Sequence, residues 1–211
     1  MVKLPEPPPV AALRGVGPSV ATLRAGTRLW RIYFRGGSFP AGWNRLRYYG
    51  PISSARFDHH LDSPGVHDRG ILYAATGNDA IATCVAEVFQ DTHLVDTGRN
   101  DPWLAAFALV EDIALLDLGG KWPTVAGASA NINSGPRPRC RRWSRAIYAA
   151  YPGLVGLYYA SSMNANQPAI ALYERASKAL PSVPVFNRSL SDAPLLIPLK
   201  NIATGLGYDL I

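Results

Sequence analysis

The stretch GILYAATGNDAIATCVAEVF, residues 70–89, predicts a strand followed by an amphipathic helix. The apolar run from Gly70 to Thr76 is typical of a strand, and Asn78 or Asp79 can cap the helix that comes next. Apolar side chains recur at helical spacing at positions 81, 84, 85, 88 and 89. Glu87 lies at the edge of this buried stripe, so its carboxylate can border a cleft beside the preceding strand.

Other segments of the chain predict a domain built mainly from strands, and the fold class predicted from all of them is α+β. The run from Arg141 to Tyr151 predicts a helix that Pro152 and Gly153 end. From Pro181 onward the chain is punctuated by prolines and is expected to wrap the surface. Further strands are predicted in LWRIYF (29–34), LAAFALV (104–110), IALLDL (113–118), LVGLYYAS (154–161) and AIALYER (169–175).

Length and composition indicate one folded domain with a short arm. A chain of 211 residues can bury one sizeable core, and 48% hydrophobic with 17% charged residues is typical of a globular protein. Residues 1–27 are rich in Pro, Gly and Ala with little periodicity, so we expect them to lie on the domain as an arm and outside its core. The domain itself is expected to span residues 28–211.

The sequence predicts a cytoplasmic protein that does not associate with a membrane. No stretch approaches the roughly 20 apolar residues of a membrane-spanning helix. The first ten residues, MVKLPEPPPV, carry Glu6 and four prolines where a secretory signal needs a continuous apolar run. Cys84 and Cys140 have no CxxC or Cys/His spacing around them and are predicted to be free thiols in a reducing compartment.

Several well-known cofactor motifs are missing from the sequence. It contains no GxxxxGK[ST] phosphate loop, and its glycines do not open a helix after a strand as in a dinucleotide-binding fingerprint. His59 and His60 are adjacent and His67 lies seven residues further on, without a cysteine partner or an HExxH motif. We therefore expect structural or exposed histidines and no metal site.

The charge balance indicates an anionic partner but does not identify it. The net charge is +6 and the pI is about 9.5, which suits nucleic acid, an acidic protein or the phosphates of a cofactor. The basic run RPRCRRWSR, residues 137–145, could bind nucleic acid through its arginines and its tryptophan. A helix start that neutralises an acidic partner or lines the rim of a pocket is the preferred interpretation.

The order of several short motifs resembles the RES domain, a family named for its Arg, Glu and Ser. The resemblance covers most of the chain from Arg28 to Glu174. Three departures from the family pattern are Phe57 for Trp, Asp58 for Asn and Ala160 for Pro. The matching motifs are WRIY (30–33), ARFD (55–58), LYAA (72–75), CVAEV (84–88) and GLYYAS (156–161).

This resemblance implies a split β-sheet core with flanking helices, similar to that of the ADP-ribosyltransferases. It also implies a toxin whose substrate is NAD and which an Xre-type antitoxin neutralises. Members of the family are similar in cleaving the bond between nicotinamide and ribose. They differ in the acceptor, which is phosphate, water or a protein side chain.

The family pattern maps onto three catalytic residues here, Glu87, Arg31 and Ser161. Bond cleavage develops positive charge on the ribose, which a carboxylate such as Glu87 can stabilise. Arg31 can fork onto phosphate or ribose oxygens. Ser161, or alternatively its neighbour Ser162, would orient the ribose or the amide by hydrogen bonding.

The same pattern assigns an NAD-binding role to Arg31, Arg56, Tyr73, Tyr33 and Ser161. Arg56 would join Arg31 on the pyrophosphate, and Tyr73 would stack on the nicotinamide ring. Tyr33 is expected mainly to pack, with a secondary role in the pocket.

Two other functions stay open at the level of sequence. An ADP-ribosyltransferase that modifies a protein target would use the same residues and differ only in what reaches the ribose carbon. A basic nucleic-acid-binding module would use the run 137–145 and have no catalytic activity. In the preferred interpretation nucleic acid is contacted only through the antitoxin.

Overall fold

The computed structural model describes residues 4–211 and contains five α-helices and eleven strands within that range. The helices are α1 (Val10–Arg14), α2 (Ala80–Val88), α3 (Trp122–Val125), α4 (Arg137–Ala150) and α5 (Ala193–Leu206). The strands are β1 (Val20–Leu23), β2 (Arg28–Phe34), β3 (Arg47–Gly50), β4 (Gly65–Ala75), β5 (Leu94–Val95), β6 (Pro102–Ala108), β7 (Ile113–Asp117), β8 (Gly156–Ala160), β9 (Pro168–Tyr173), β10 (Phe186–Ser189) and β11 (Asp209–Leu210). The α+β class predicted from the sequence is confirmed.

One large mixed sheet forms the centre of the molecule. Its strand order is β1-β7-β8-β9-β4-β2-β6-β10, and β3 pairs with β4 beside this path. The pair β7 and β8 is parallel, whereas the other neighbours in this sheet are antiparallel. A separate parallel ladder joins β5 to β11.

The sheet is split between β2 and β4. These two strands are paired only where Trp30 lies opposite Ala75, whereas β2 pairs with β6 over its whole length. Away from that point the strands separate, and β3 pairs with the first part of β4 instead, with Arg47 opposite Ile71. The gap between β2 and the β3/β4 pair opens a cleft in the face of the sheet. This is the split sheet that the resemblance implied.

Helix α2 borders the cleft because it follows β4 directly and packs against both β4 and β2. Cys84 and Val85 are buried on its inner face, in a core cluster that also contains Leu199 of α5. Asp79 holds the N-cap position, as predicted, but its side chain accepts a hydrogen bond from Asn164 Nδ2 at 2.7 Å and does not cap the helix amides. This bond ties the start of α2 to the loop after β8.

Within the predicted arm, residues 4–27 contribute to the core, so the expectation that the arm lies outside the core is wrong for them; residues 1–3 lie outside the described residues. Leu4 and Leu13 are almost fully buried, in the same cluster as Trp143 of α4. Strand β1 is the edge strand of the large sheet and pairs with β7. The apolar residues of this segment are scattered among prolines and glycines without periodic spacing. The sequence analysis therefore did not recognise them as core residues.

The C-terminal portion is more regular than its prolines indicated. Strand β10 pairs with β6, and α5 contains Pro198 inside the helix. Leu199 and Ala203 of α5 are buried against α2. Apolar packing on one face of α5 therefore outweighs the helix-breaking tendency of proline.

Candidate functional site

The split in the sheet forms a cleft of about 780 Å³. This volume is in the range of small-molecule sites. Its walls come from β2, β3, β4 and α2, with further residues from the loops before and after β3 and from the start of α4. Five arginines line it, namely Arg31, Arg45, Arg47, Arg56 and Arg137, against the two carboxylates Glu87 and Asp91. The cleft is therefore positively charged and suited to an anionic ligand.

Glu87 projects from α2 into this cleft and is held by Ser161. The Oγ of Ser161 donates a hydrogen bond to Glu87 Oε1 at 2.6 Å. Burial raises the pKa of the Glu87 carboxyl, while the Ser161 hydrogen bond and the charges of Arg56 and Arg137 oppose the rise. The carboxylate is thus placed in a poorly solvated position where its charge would act strongly on a bound ligand.

The hydrogen bonds of Ser161 fix the direction in which its proton points. Ser161 is fully buried at the end of β8, and its Oγ accepts the backbone N–H groups of Met163 and Asn164, each at 3.2 Å. A hydroxyl has two acceptor positions and one proton, so that proton is left for Glu87. Ser161 therefore lies behind Glu87 and orients it, whereas the neighbouring Ser162 is exposed.

Arg31 enters the cleft from β2 as a cation without a counter-charge. Its Nη1 donates to the carbonyl oxygens of Trp43 and Arg45, at 3.1 and 3.3 Å, and no carboxylate of residues 4–211 forms a salt bridge with it. Burial lowers its pKa to about 10, so the guanidinium remains protonated at pH 7. An unpaired, partly buried cation of this kind stabilises an anion that enters beside it.

Arg56 provides a second such cation on the opposite wall. Its Nη1 donates to the carbonyl oxygen of Gly135 and lies 3.9 Å from Cys140 Sγ. Within the described chain it also has no carboxylate in salt-bridge range. Arg137, in contrast, donates to Gln90 Oε1 at 2.9 Å and forms an ion pair with Asp91 at 3.3 Å.

Tyr73 lines the cleft from β4, and its hydroxyl is bonded to Asp58, a buried residue to which the sequence analysis gave no role in the site. The hydroxyl accepts the Phe57 backbone N–H at 3.0 Å and donates to Asp58 Oδ1 at 3.4 Å. Asp58 is fully buried and also accepts hydrogen bonds from Arg47 Nη2 at 2.5 Å and the Ile52 backbone N–H at 2.9 Å. One carboxylate thereby positions a tyrosine and an arginine of the cleft wall.

Of the predicted site residues, Arg31, Arg56, Tyr73 and Glu87 lie on the wall of the same cleft, and Ser161 contacts Glu87 from behind. Tyr33 does not lie among the lining residues. It is buried, and its hydroxyl donates to Asn187 Oδ1 at 2.9 Å, which fits the packing role expected for it. The chemical roles of all six residues stay predictions. A sequence signal for the Asp58 contacts did exist, since Asp58 is one of the departures from the family motif.

Comparison with known proteins decides the family. The family model described as "RES domain" matches residues 28–194. This chain belongs to the RES-domain family. A search of curated proteins found no match.

A solved structure shares the fold of this RES domain. It is the crystal structure of the M. tuberculosis MbcT-MbcA toxin-antitoxin complex, with a TM-score of 0.50 and 13% sequence identity. The similarity covers 83% of this chain and 91% of the other. At this identity the similarity shows a common architecture, and it supports the RES fold that the motifs implied.

Two of the four histidines of this RES domain are structural. His59 and His60 are fully buried behind the cleft wall, and His59 Nε2 lies 3.2 Å from Glu174 Oε2. Among residues 4–211 no three His, Cys, Asp or Glu side chains converge in a way that could hold a metal ion. Cys84 and Cys140 are free thiols, as predicted, and both are buried. Burial raises the pKa of Cys84 to about 12, so its thiol is not a nucleophile at neutral pH.

The arginines of the basic run 137–145 mostly bind other parts of the RES domain. Arg139 and Arg142 contact the Glu6 carboxylate, at 3.1 and 2.6 Å. Arg141 donates to backbone carbonyl oxygens of residues 52, 53 and 55, and Arg145 pairs with Asp62. These contacts tie α4 to the N-terminal segment and to the loop after β3, which favours the interpretation of the run as a helix start over a nucleic-acid site.

The helices of the domain are short. Within residues 4–211 the longest helices, α4 and α5, have 14 residues each, and none is both long and apolar enough to cross a membrane.

Proposed function

We propose that this RES domain consumes NAD by cleaving the bond between nicotinamide and ribose, and that it is the toxin of a toxin–antitoxin pair. The observation that carries the proposal is the partly buried Glu87 carboxylate, oriented by Ser161, in a cleft that is also lined by two arginines without a carboxylate partner in the described chain. NAD matches this charge pattern because its pyrophosphate is anionic and its ribose becomes positively charged during the reaction.

In this proposal the arginines bind the substrate and Glu87 acts on the ribose. Arg31 and Arg56 donate to the pyrophosphate or to ribose oxygens, with the directional hydrogen bonds that guanidinium groups form with phosphate. Tyr73 stacks on the nicotinamide ring, and the hydrogen bonds of its hydroxyl with Phe57 and Asp58 hold it on the cleft wall. The ribose then lies between the arginines and Glu87.

The reaction breaks one bond and forms another at the same carbon. As the bond between C1′ and the ring nitrogen of nicotinamide breaks, its electron pair stays on the nitrogen and neutralises the pyridinium. The positive charge that develops on the ribose is stabilised by the ionised Glu87 carboxylate. A phosphate oxygen then bonds to C1′ and gives ADP-ribose 1″-phosphate. With water as acceptor, the products are ADP-ribose and a proton.

The role of Ser161 in this scheme is to keep Glu87 ionised and correctly oriented. Burial raises the pKa of the Glu87 carboxyl, which disfavours the anion that the reaction needs. The hydrogen bond from Ser161 opposes this effect, and the two backbone amides bound to Ser161 Oγ prevent the hydroxyl from turning away.

An Xre-type antitoxin is the partner that we propose for the cytoplasmic toxin. The MbcT toxin, whose fold this chain shares, was crystallised with the antitoxin MbcA. The mouth of the cleft carries the exposed Arg45, so an acidic segment of an antitoxin could cover it and exclude NAD. Full NAD consumption by an isolated complex with the cognate antitoxin would refute this part of the proposal.

The proposal is tested with purified protein, NAD and chromatographic detection of nicotinamide. We expect release of nicotinamide together with ADP-ribose 1″-phosphate when phosphate is present, or with ADP-ribose when it is absent. Labelled NAD added to a cell lysate provides the third arm, since label retained on a protein band would show transfer to a protein instead. No nicotinamide release in any arm would contradict the proposal.

A further inference from the structure

Two aromatic rings lie parallel at the outer part of the cleft. Phe39 and Tyr49 both line it, their ring centroids are 6.4 Å apart, and their planes differ by 18°. Phe39 is 83% exposed and Tyr49 is 46% exposed. Neither ring belongs to a hydrophobic core cluster of the described chain.

The centroid separation of the two rings lies in the range of about 4.5 to 7 Å that is usual for an offset aromatic pair. Phe39 is highly exposed although it belongs to this pair, so its ring keeps a free face on which a planar base can stack. Large apolar side chains are usually buried in folded proteins, and a clustered exposed pair marks a binding surface.

The two rings are carried by different kinds of backbone. Tyr49 is part of β3 and lies opposite Val66 of β4. Phe39 is in the loop between β2 and β3, which Ala41 closes by donating its N–H to the Phe34 carbonyl oxygen at 2.8 Å. Gly37 in this loop has a φ of 80°, and a Cβ there would lie 2.7 Å from Asn100 Oδ1. The turn that presents Phe39 therefore requires glycine.

Cations accompany the rings on the same segment. Arg45 lines the cleft and is exposed, and it forms no hydrogen bond or ion pair through its side chain with residues 4–211. Arg47 also lines the cleft, where its guanidinium bonds Asp58 and the Tyr49 carbonyl oxygen. Two rings that can hold a planar base, next to an unpaired guanidinium, form the combination that recognises a nucleotide.

We propose that the adenine ring of NAD stacks on the pair formed by Phe39 and Tyr49, with Arg45 on the adjoining phosphate. This inference rests on the proposed function, and it divides the cleft into two ends. The end with Glu87 and Tyr73 takes the nicotinamide riboside, where the bond breaks. The end with the two aromatic rings takes the adenosine, which adds affinity and specificity without taking part in bond cleavage.

The test measures binding of ADP-ribose and of ribose 5-phosphate by calorimetry, in the full chain and in the variants Phe39→Ala and Tyr49→Ala. Stacking of a base on an aromatic ring predicts about 5- to 100-fold weaker binding of ADP-ribose in each variant. Ribose 5-phosphate lacks the base and serves as the comparison ligand. Tyr49→Phe restores the ring and should restore most of the affinity. Val125→Ala is the matched control, since it removes an exposed apolar side chain of α3 that does not line the cleft.

The outcomes separate this inference from the proposed function. If the wild-type protein consumes NAD, the alanine variants should raise KM for NAD by the same factor as they weaken ADP-ribose binding. Their kcat should stay at the wild-type value. If the wild-type protein binds ADP-ribose through the two rings but releases no nicotinamide, the base site stands and the proposed reaction fails. Equal ADP-ribose affinity in wild type and both alanine variants overturns the inference, as does equal weakening of both ligands.

Discussion

Replacing Ser161 with alanine should move the pH dependence of the proposed NAD cleavage to higher pH. The Ser161 hydroxyl is the hydrogen-bond donor to Glu87, at 2.6 Å, and it stabilises the ionised carboxylate. A hydrogen bond to a charged group contributes about 1.5 to 3 kcal/mol, and 1.36 kcal/mol corresponds to one pKa unit. Its loss should therefore raise the pKa of Glu87 by about 1 to 2 units.

The assay is nicotinamide release, with kcat/KM measured from pH 5 to pH 9. If ionised Glu87 is the active form, activity falls on the acid side of the profile, and in Ser161→Ala that fall should occur about 1 to 2 pH units higher. The variant should recover activity toward alkaline pH. Ser162→Ala is the matched control because Ser162 is exposed and the described structure gives its side chain no bond to Glu87.

The stability of Ser161→Ala has to be measured together with its pH profile. Ser161→Ala also leaves the backbone N–H groups of Met163 and Asn164 without their acceptor, which should cost about 1 to 3 kcal/mol of unfolding free energy. The profile is therefore recorded at a temperature where circular dichroism shows the variant folded. An acid limb that coincides with that of the wild type would refute the coupling between Ser161 and Glu87.

Three further predictions concern the structure around the cleft. Burial lowers the pKa of His60 to about 4, so the unfolded chain binds more protons than the folded protein between pH 4 and 6.5. The free energy of unfolding should therefore be about 2 kcal/mol lower at pH 5 than at pH 7, and His60→Gln should reduce this pH dependence in urea titrations. Asp58→Ala leaves Arg47 and the Tyr73 hydroxyl without their shared acceptor and should lower the unfolding free energy by about 3 kcal/mol, while KM for NAD rises. Leu13→Ala should lower the unfolding free energy by about 2 to 5 kcal/mol, since Leu13 is fully buried.

Each of these has an outcome that contradicts it. An unchanged pH slope in His60→Gln would show that another group causes the acid sensitivity. Full stability of Asp58→Ala would mean that the Asp58 contacts do not hold the cleft wall. The control for Leu13→Ala is Leu196→Ala on the exposed face of α5, where a loss below about 0.5 kcal/mol is expected. Equal losses at both positions would contradict the core role of the N-terminal segment.

The sequence predicted those elements whose pattern is local. Strands β2, β8 and β9 and helix α2 have clear apolar patterns, and the structure places each close to its predicted bounds. Strand β4 was predicted from Gly70 but begins five residues earlier, at Gly65. Strand β3 and helix α5 were missed because their stability comes from partners distant in the chain. Strand β3 is short and paired with β4, and α5 is held by packing on α2 despite Pro198.

The same distinction applies to the cleft. Short motifs located Arg31, Arg56, Tyr73, Glu87 and Ser161, and their order along the chain matched a known family. The network centred on Asp58 was not predicted, because its partners Arg47 and Tyr73 converge only when β3 pairs with β4. The ring pair of Phe39 and Tyr49 likewise depends on how the loop after β2 folds over the cleft.

Nicotinamide release by Glu87→Gln is the most direct test of the central claim, that the partly buried Glu87 carboxylate acts in the cleavage of NAD. The amide keeps the shape of the side chain and removes its charge. The account predicts that kcat falls by about 100- to 1,000-fold, whereas the matched change Glu111→Gln, at an exposed position outside the cleft, leaves it at the wild-type value. Wild-type nicotinamide release by folded Glu87→Gln would contradict the account.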